Sequence, residues 1–266
     1  MTLASGEISG TQMRSDAPAG GDPTSLAGQM ALAARLIADN RPMELGGVWR
    51  RLTATFPNDP VWRLVSCLAW SFTGLDRARG LIEAQAARTL DPACWPAHLA
   101  EAWVLCEMAE MDRANSDFSA YWAQGRRRPR PVGHHLFAAS LDAVHRALAL
   151  HPVAALTNDL GVIHFMAGDY PAARNAFLAA MDLEPRQRHA AANYAVTLAV
   201  LGELAELRTY LERESLPVAL PLSLKFMGMA ERDYWRQPAE AYETRRTAVF
   251  SQAWWRALPA LMPAAG

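Results

Sequence analysis

The chain has 266 residues, of which 51% are hydrophobic and 20% are charged, and its formal net charge is −1 at neutral pH. A chain of this length can bury a large core, and a charge this close to zero excludes a general electrostatic attraction to nucleic acid or to an anionic membrane. Its three cysteines, Cys67, Cys94 and Cys106, lie in apolar surroundings without a Cys-x-x-Cys pair. They therefore indicate reduced, buried thiols in an intracellular protein.

Residues 1–25 are rich in Gly, Pro, Ser and Thr and contain no apolar run. This composition predicts a disordered N-terminal tail without the apolar core of a secretory signal. No later stretch offers the roughly 20 uninterrupted apolar residues that a membrane helix needs. We therefore expect a cytoplasmic protein without direct membrane insertion. Only Lys225 is lysine among the 26 basic residues, and this arginine bias is typical of a GC-rich bacterial genome.

Apolar residues recur at helical spacing through the first half of the chain. The predicted helices cover residues 26–39, 43–56, 61–72, 76–90, 95–108 and 111–123, and breakers such as Gly, Asn and Pro separate the first five from one another. The second of these is predicted despite its Gly46-Gly47 pair. The last four form two hairpins, residues 61–94 and 95–124. The second hairpin is inferred because Ala102, Ala114 and Phe118 are offset by 59 residues from three similar residues of a later hairpin.

A basic loop, residues 125–133, interrupts the helices. Two prolines forbid a helix there, and the loop contains four arginines, Arg126, Arg127, Arg128 and Arg130. Two interpretations remain open: a docking site for an acidic partner, phosphate, anionic lipid or RNA, or a loop that is only solvated. We expect no nucleic-acid partner, because the loop has no interleaved aromatic residues. The helix that follows, residues 134–150, predicts a degenerate repeat whose first helix is replaced by the loop.

Residues 154–187 contain the clearest hairpin. Gly168-Asp169 separates two apolar helical segments, and Pro185 ends the second. Small residues such as Gly161 allow the two helices to approach closely, while Phe177 fills the space between them. A hairpin of this kind cannot bury its apolar faces alone, so neighbouring hairpins must stack on it.

This hairpin resembles a tetratricopeptide repeat (TPR). The resemblance is carried by small, aromatic and breaker residues at the positions that the repeat prefers: Leu160, Gly161, Gly168, Asp169, Tyr170, Ala173, Phe177, Ala180 and Pro185. It implies an all-α protein, an α-solenoid of TPR-like hairpins in a right-handed superhelix. We expect this solenoid to cover residues 26–258.

A further repeat follows in residues 188–215, which keeps the turn glycine Gly202. Residues 220–230 and 238–258 predict a final, diverged pair of helices, and residues 259–266 a C-terminal tail. The Trp254-Trp255 pair has two interpretations. It caps the last apolar face of the solenoid, or it forms an exposed patch through which the protein makes a homo-oligomer.

The TPR resemblance also implies where a partner binds. First helices line a concave groove in this family, and a polar residue two places before the small residue points into it. Asp159 and Asn193 occupy that position and are 34 residues apart, one repeat length. We expect the groove to be formed by these two residues and four neighbours, Asn158, Phe165, His189 and Val196. The alternative is that both polar residues are merely solvated.

Catalytic and metal-binding patterns are missing from the sequence. The adjacent His134 and His135 would point about 100° apart on a helix, and no His-Glu-x-x-His or paired-cysteine spacing supports them. No nucleophile elbow, phosphate loop or dinucleotide fingerprint is present. We therefore predict a non-catalytic scaffold or adaptor, without a cofactor or metal, that binds a peptide or partner helix. The alternative is an accessory subunit or chaperone of a bacterial biosynthetic, modification or secretion complex.

Overall fold

The computed structural model describes residues 24–39, 41–72, 76–122, 134–185, 187–214, 251 and 253–262. Every regular element within these residues is helical. In chain order they are α1 (Leu26–Ala38), a 3₁₀ helix (Pro42–Leu45), α2 (Val48–Thr55), α3 (Pro60–Phe72), α4 (Arg77–Leu90), α5 (Trp95–Trp122), α6 (His134–Leu150), α7 (Ala154–Ala167), α8 (Tyr170–Leu183), α9 (Arg188–Leu201), α10 (Leu204–Glu214) and α11 (Ala253–Leu261). Residues 1–23 of the predicted N-terminal tail, the basic loop, residues 220–230 and residues 238–250 of the last predicted helix lie outside the described residues.

The helices stack as a row of pairs. α3 contacts α4, α5 contacts α6, α7 contacts α8 and α9 contacts α10, and each second helix also contacts the first helix of the next pair. The first helices α3, α5, α7 and α9 touch one another in chain order, and we call them the inner layer. The predicted all-α solenoid of helical hairpins is therefore confirmed. None of the described helices is both long and apolar enough to cross a bilayer.

Two turns of the solenoid are built in the same way. Gly168 ends α7 with φ +86° and Gly202 ends α9 with φ +76°, a left-handed conformation that suits glycine. In each turn the residue after the glycine donates its backbone N–H to an earlier carbonyl. Asp169 donates to His164 at 2.9 Å, and Glu203 donates to Leu198 at 3.0 Å. These local bonds end both helices, which is why the sequence pattern located the two turns.

Close contact between α7 and α8 depends on Gly161 and Phe177. A Cβ atom added at Gly161 would lie 2.5 Å from Cε1 and 2.6 Å from Cδ1 of the Phe177 ring. Phe177 is itself fully buried. The ring therefore fills the space that the missing side chain leaves.

We expect Gly161→Ala to destabilise the protein by about 1 to 3 kcal/mol, the usual range for overpacking a core. This is opposite in sign to an ordinary glycine-to-alanine change inside a helix, which gains about 0.5 to 1 kcal/mol. Urea unfolding followed by circular dichroism measures the difference. Adding Phe177→Leu to Gly161→Ala should recover part of the loss, whereas a melting temperature raised by Gly161→Ala alone would contradict the contact.

The predicted hairpin of residues 95–124 is wrong. A single helix, α5, runs through the expected turn, because the sequence between its two predicted halves contains no glycine, proline or asparagine. Its partner is α6, whose Ser140 donates a 2.6 Å hydrogen bond to the carbonyl of Ala102. The basic loop therefore stands between the two helices of one pair and does not replace a first helix.

Two further boundaries differ from prediction. The expected helix over residues 43–56 is divided, because Gly46 has φ +50° and the α-helix begins only at Val48. At the other end, the predicted tail from residue 259 is helical to Leu261, and the helix continues through Pro259. Leu258, which is fully buried, holds this last turn against the rest of the protein.

Candidate partner-binding groove

The end of the chain lies across the inner layer. Helix α11 contacts α5 and α3 and also reaches α1, while Ser251, just before it, contacts α7. We call Ser251 together with α11 the C-terminal segment. The segment therefore lies on helices far from it in sequence and does not extend the row of pairs beyond α10.

An aromatic cluster joins the C-terminal segment to α5. The ring of Trp103 lies 5.9 Å from that of Trp254 and 5.7 Å from that of Trp255, centroid to centroid. The last two rings meet edge to face at 5.5 Å. Aromatic pairs in such arrangements add to the gain from burial alone. Both residues of the tryptophan pair are buried, 2% and 4% exposed, so neither forms the exposed patch that was one interpretation of the sequence.

Polar side chains of α7 and α9 hold the start of the segment. The carboxylate of Asp159 accepts the backbone N–H of Ser251 at 2.6 Å on Oδ1 and its hydroxyl at 2.7 Å on Oδ2. The Asn158 amide donates to Oδ1 of Asp159 at 3.1 Å, and the Asn193 amide donates to Oδ1 of Asn158 at 2.9 Å. We call Asn158, Asp159 and Asn193 the polar row. It joins two successive repeats to the end of the chain.

All three residues of the polar row are buried, at 1% exposure or less, so the alternative of simple solvation does not describe them. Asp159 contacts the C-terminal segment directly, and Asn158 and Asn193 connect to it through Asp159. Two other residues that were expected in the groove have a different environment. Phe165 and Val196 belong to the hydrophobic core, where the Phe165 ring meets that of Tyr170 at 5.2 Å.

His189 is half-buried beside the segment. Burial, and to a smaller extent the nearby positive charge of Arg256, lower its pKa. Since Arg256 belongs to α11, the segment passes close to the first helix of the last described pair. His189 is thus the predicted groove residue that keeps part of its surface accessible.

Burial dominates the electrostatics of Asp159. It raises the pKa of the carboxyl to about 7, although the hydrogen bonds from Ser251 and Asn158 act in the opposite direction. The geometry suits both protonation states. An ionised carboxylate accepts the Ser251 hydroxyl, and a protonated one can donate to the same oxygen, which also accepts the N–H of Ala253 at 3.1 Å.

Docking of the C-terminal segment should weaken as the pH rises from about 5 to about 7 and change little above that. The docked state keeps the Asp159 proton up to a pKa of about 7, whereas exposure on undocking returns the pKa toward 3.8, so the docked state binds more protons between these values. Hydrogen exchange of residues 253–261, corrected for intrinsic rates, measures the docking equilibrium.

Asp159→Asn provides the matched control for this pH dependence. Its amide can accept from the Ser251 backbone and donate to the Ser251 oxygen, as a protonated carboxyl does. The lowered pKa of His189 contributes a dependence of opposite sign, which this variant leaves in place. A pH profile identical in the variant and the wild type would rule out Asp159 as the titrating group.

Sequence reasoning did not find Ser251 as a contact of the polar row. A signal was present, since Ser251 is followed after three, four and seven residues by Trp254, Trp255 and Leu258, one face of a helix. That spacing predicts an amphipathic helix. It does not reveal which surface the helix covers.

Within the described part of the chain, no three His, Cys, Asp or Glu side chains are grouped so that they could hold a metal ion. His151 stacks on Trp95 at 4.7 Å between ring centroids, and Cys67 and Cys106 are buried and reduced. The four arginines of the basic loop lie outside the described residues, so docking of an acidic partner there stays a prediction.

Comparison with known proteins finds similarity among solved structures and not among family models or curated proteins. No protein-family model matches the chain, and no curated protein matches it. Among solved structures, two crystal structures of MamA are similar at 14% identity, with TM-scores of 0.48 and 0.47, over 75% and 77% of this chain and 98% and 94% of theirs. A structure of Naa15/Naa10 bound to HypK-THB is similar at 16% identity and a TM-score of 0.42, over 89% of this chain and 34% of that one. These similarities assign neither a partner nor an activity.

Proposed function

We propose that the chain is a non-catalytic protein interaction scaffold whose inner layer binds a peptide or helix of a partner protein. The observation that carries this proposal is the seating of the C-terminal segment on that layer. A surface that buries Trp254, Trp255 and Leu258 and bonds the start of their helix is a surface that accepts an amphipathic helix.

The chemistry of this surface supports the same conclusion. Binding energy in helix-in-groove recognition is concentrated in a few buried anchors, and tryptophan is enriched among them. Trp103 supplies an aromatic wall for such anchors. The Asp159 carboxylate accepts hydrogen bonds from a backbone N–H and a hydroxyl of the same residue, which fixes where the bound helix begins.

Photo-crosslinking in the source cells tests this function. A benzophenone amino acid at His189, beside the groove, should capture a partner whose crosslinked peptide is then identified by mass spectrometry. The matched control places the same group at Ile82, which is 63% exposed on α4, a second helix outside the inner layer. A partner captured from position 82 and not from position 189 would move the binding site away from the inner layer.

A further inference from the structure

We propose that the C-terminal segment is an internal competitor of the partner, which it excludes from the inner layer until a helix of the same chemistry displaces it. That partner helix starts at a Ser or Thr, followed after three, four and seven residues by two large aromatic residues and a leucine. This inference rests on the proposed function, because it specifies what the same groove binds and how access to it is controlled.

The polar contact is one that another chain can reproduce. Within the described part of the C-terminal segment, Asp159 bonds the backbone N–H and the hydroxyl of Ser251, and both groups are present in any Ser or Thr. The Ser251 oxygen also accepts the N–H of Ala253, which helps to begin the helix. Asp159 therefore recognises the residue at the start of a helix. This contact does not depend on how the helix is joined to the rest of its chain.

The apolar contact is equally transferable. Trp254 and Trp255 meet Trp103, and Leu258 is fully buried on the same side of α11. These three residues are spaced as anchors of a single helical face. A partner helix with large aromatic residues at the first two positions can therefore occupy the same cluster.

The internal segment is an imperfect ligand, which makes its displacement feasible. The indole N–H of Trp254 is buried without a hydrogen-bond acceptor among the described residues, and an unmade bond of this kind weakens docking. Pro259 lies within α11, where it has no N–H to donate to the preceding turn. A partner that supplies an acceptor to the first aromatic residue, or that lacks the proline, binds the same surface better.

A labelled synthetic peptide of residues 249–262 tests the competition by fluorescence anisotropy. Binding is compared between the full wild-type chain and the full chain with Trp254→Ala, which weakens the internal segment and leaves the inner layer intact. The apparent affinity of a site falls with the fraction of molecules in which it is open, so the peptide should bind the variant at least tenfold more tightly. Full-length Ser251→Ala, a milder change in the same segment, should give an intermediate value.

Two controls make the result specific. Trp49→Ala removes a tryptophan of α2, outside the inner layer, that packs on Trp70 and lies under Arg50, and it should leave peptide affinity at the wild-type value. A peptide carrying Trp254→Ala and Trp255→Ala should not bind either form of the chain. Circular dichroism of each variant verifies that the helices are retained.

The possible results separate this inference from the proposed function. Equal affinity for wild type and Trp254→Ala, or no binding to either, overturns the internal competitor, while crosslinking from His189 still supports the scaffold. A dimer of the wild-type chain that is held by exchange of the C-terminal segment, detected by sedimentation velocity, also overturns it, because the second occupant is then another copy of the chain. The internal competitor is supported if the peptide binds the Trp254→Ala and Ser251→Ala chains more tightly than the wild type, and if the peptide that lacks both tryptophans binds none of them.

Discussion

Phe177→Ala should lower the free energy of unfolding by about 3 to 5 kcal/mol, the range measured when a buried aromatic residue is truncated in a packed core. Phe177 is fully buried, and its ring lies directly against the backbone of Gly161. Because Gly161 has no side chain, α7 cannot fill the space that the ring vacates. The cavity cost therefore adds to the loss of apolar burial.

Urea unfolding measures this effect, and Phe177→Leu is the matched control because it keeps most of the apolar volume. We expect the leucine variant to lose clearly less stability than the alanine variant. An unchanged melting temperature for Phe177→Ala would contradict the packing of α7 on α8 through this ring. It would also count against the resemblance of this hairpin to a TPR.

Trp254→Ala should weaken docking of the C-terminal segment by about 3 to 5 kcal/mol, more than a hundredfold in the docking equilibrium. The residue is 2% exposed and contacts both Trp103 and Trp255. The paired helices α3 to α10 are built from contacts that do not involve α11, so they should keep their helicity. The expected result is local release of the segment and not global unfolding.

Hydrogen exchange of residues 253–261 detects that release, with protection in α7 and α8 as the internal reference. Leu261→Ala, at a residue that is 45% exposed at the end of the same helix, should change protection much less. Protection of α11 that survives Trp254→Ala would mean that the aromatic cluster does not hold the segment.

The pH dependence and the competition concern the same contact. We expect undocking to expose Asp159 and to release its proton, so conditions that favour the ionised carboxylate should also favour an open groove. A partner that binds the open state gains from this change. The groove is therefore expected to be more accessible near pH 7 than near pH 5.

Local chemistry made much of the solenoid predictable. The turns at Gly168 and Gly202 are decided by glycines in the left-handed conformation and by hydrogen bonds to residues a few positions earlier. The hairpin of α7 and α8 followed from such signals together with helical periodicity. The expected break inside α5 failed for the same reason, because it relied on a 59-residue offset and no local breaker supported it.

The sequence by itself determined the helical class, the pairing around the glycine turns, and the matching register of Asp159 and Asn193 in successive repeats, since each depends on spacing within one or two repeats. Only the tertiary structure decided what those polar residues bind. Ser251 lies 92 residues from Asp159, and no periodic pattern connects positions so distant. Burial then changed the chemistry of the site, because a carboxyl that would be solvated in an open groove is enclosed beneath the chain's own C-terminal segment.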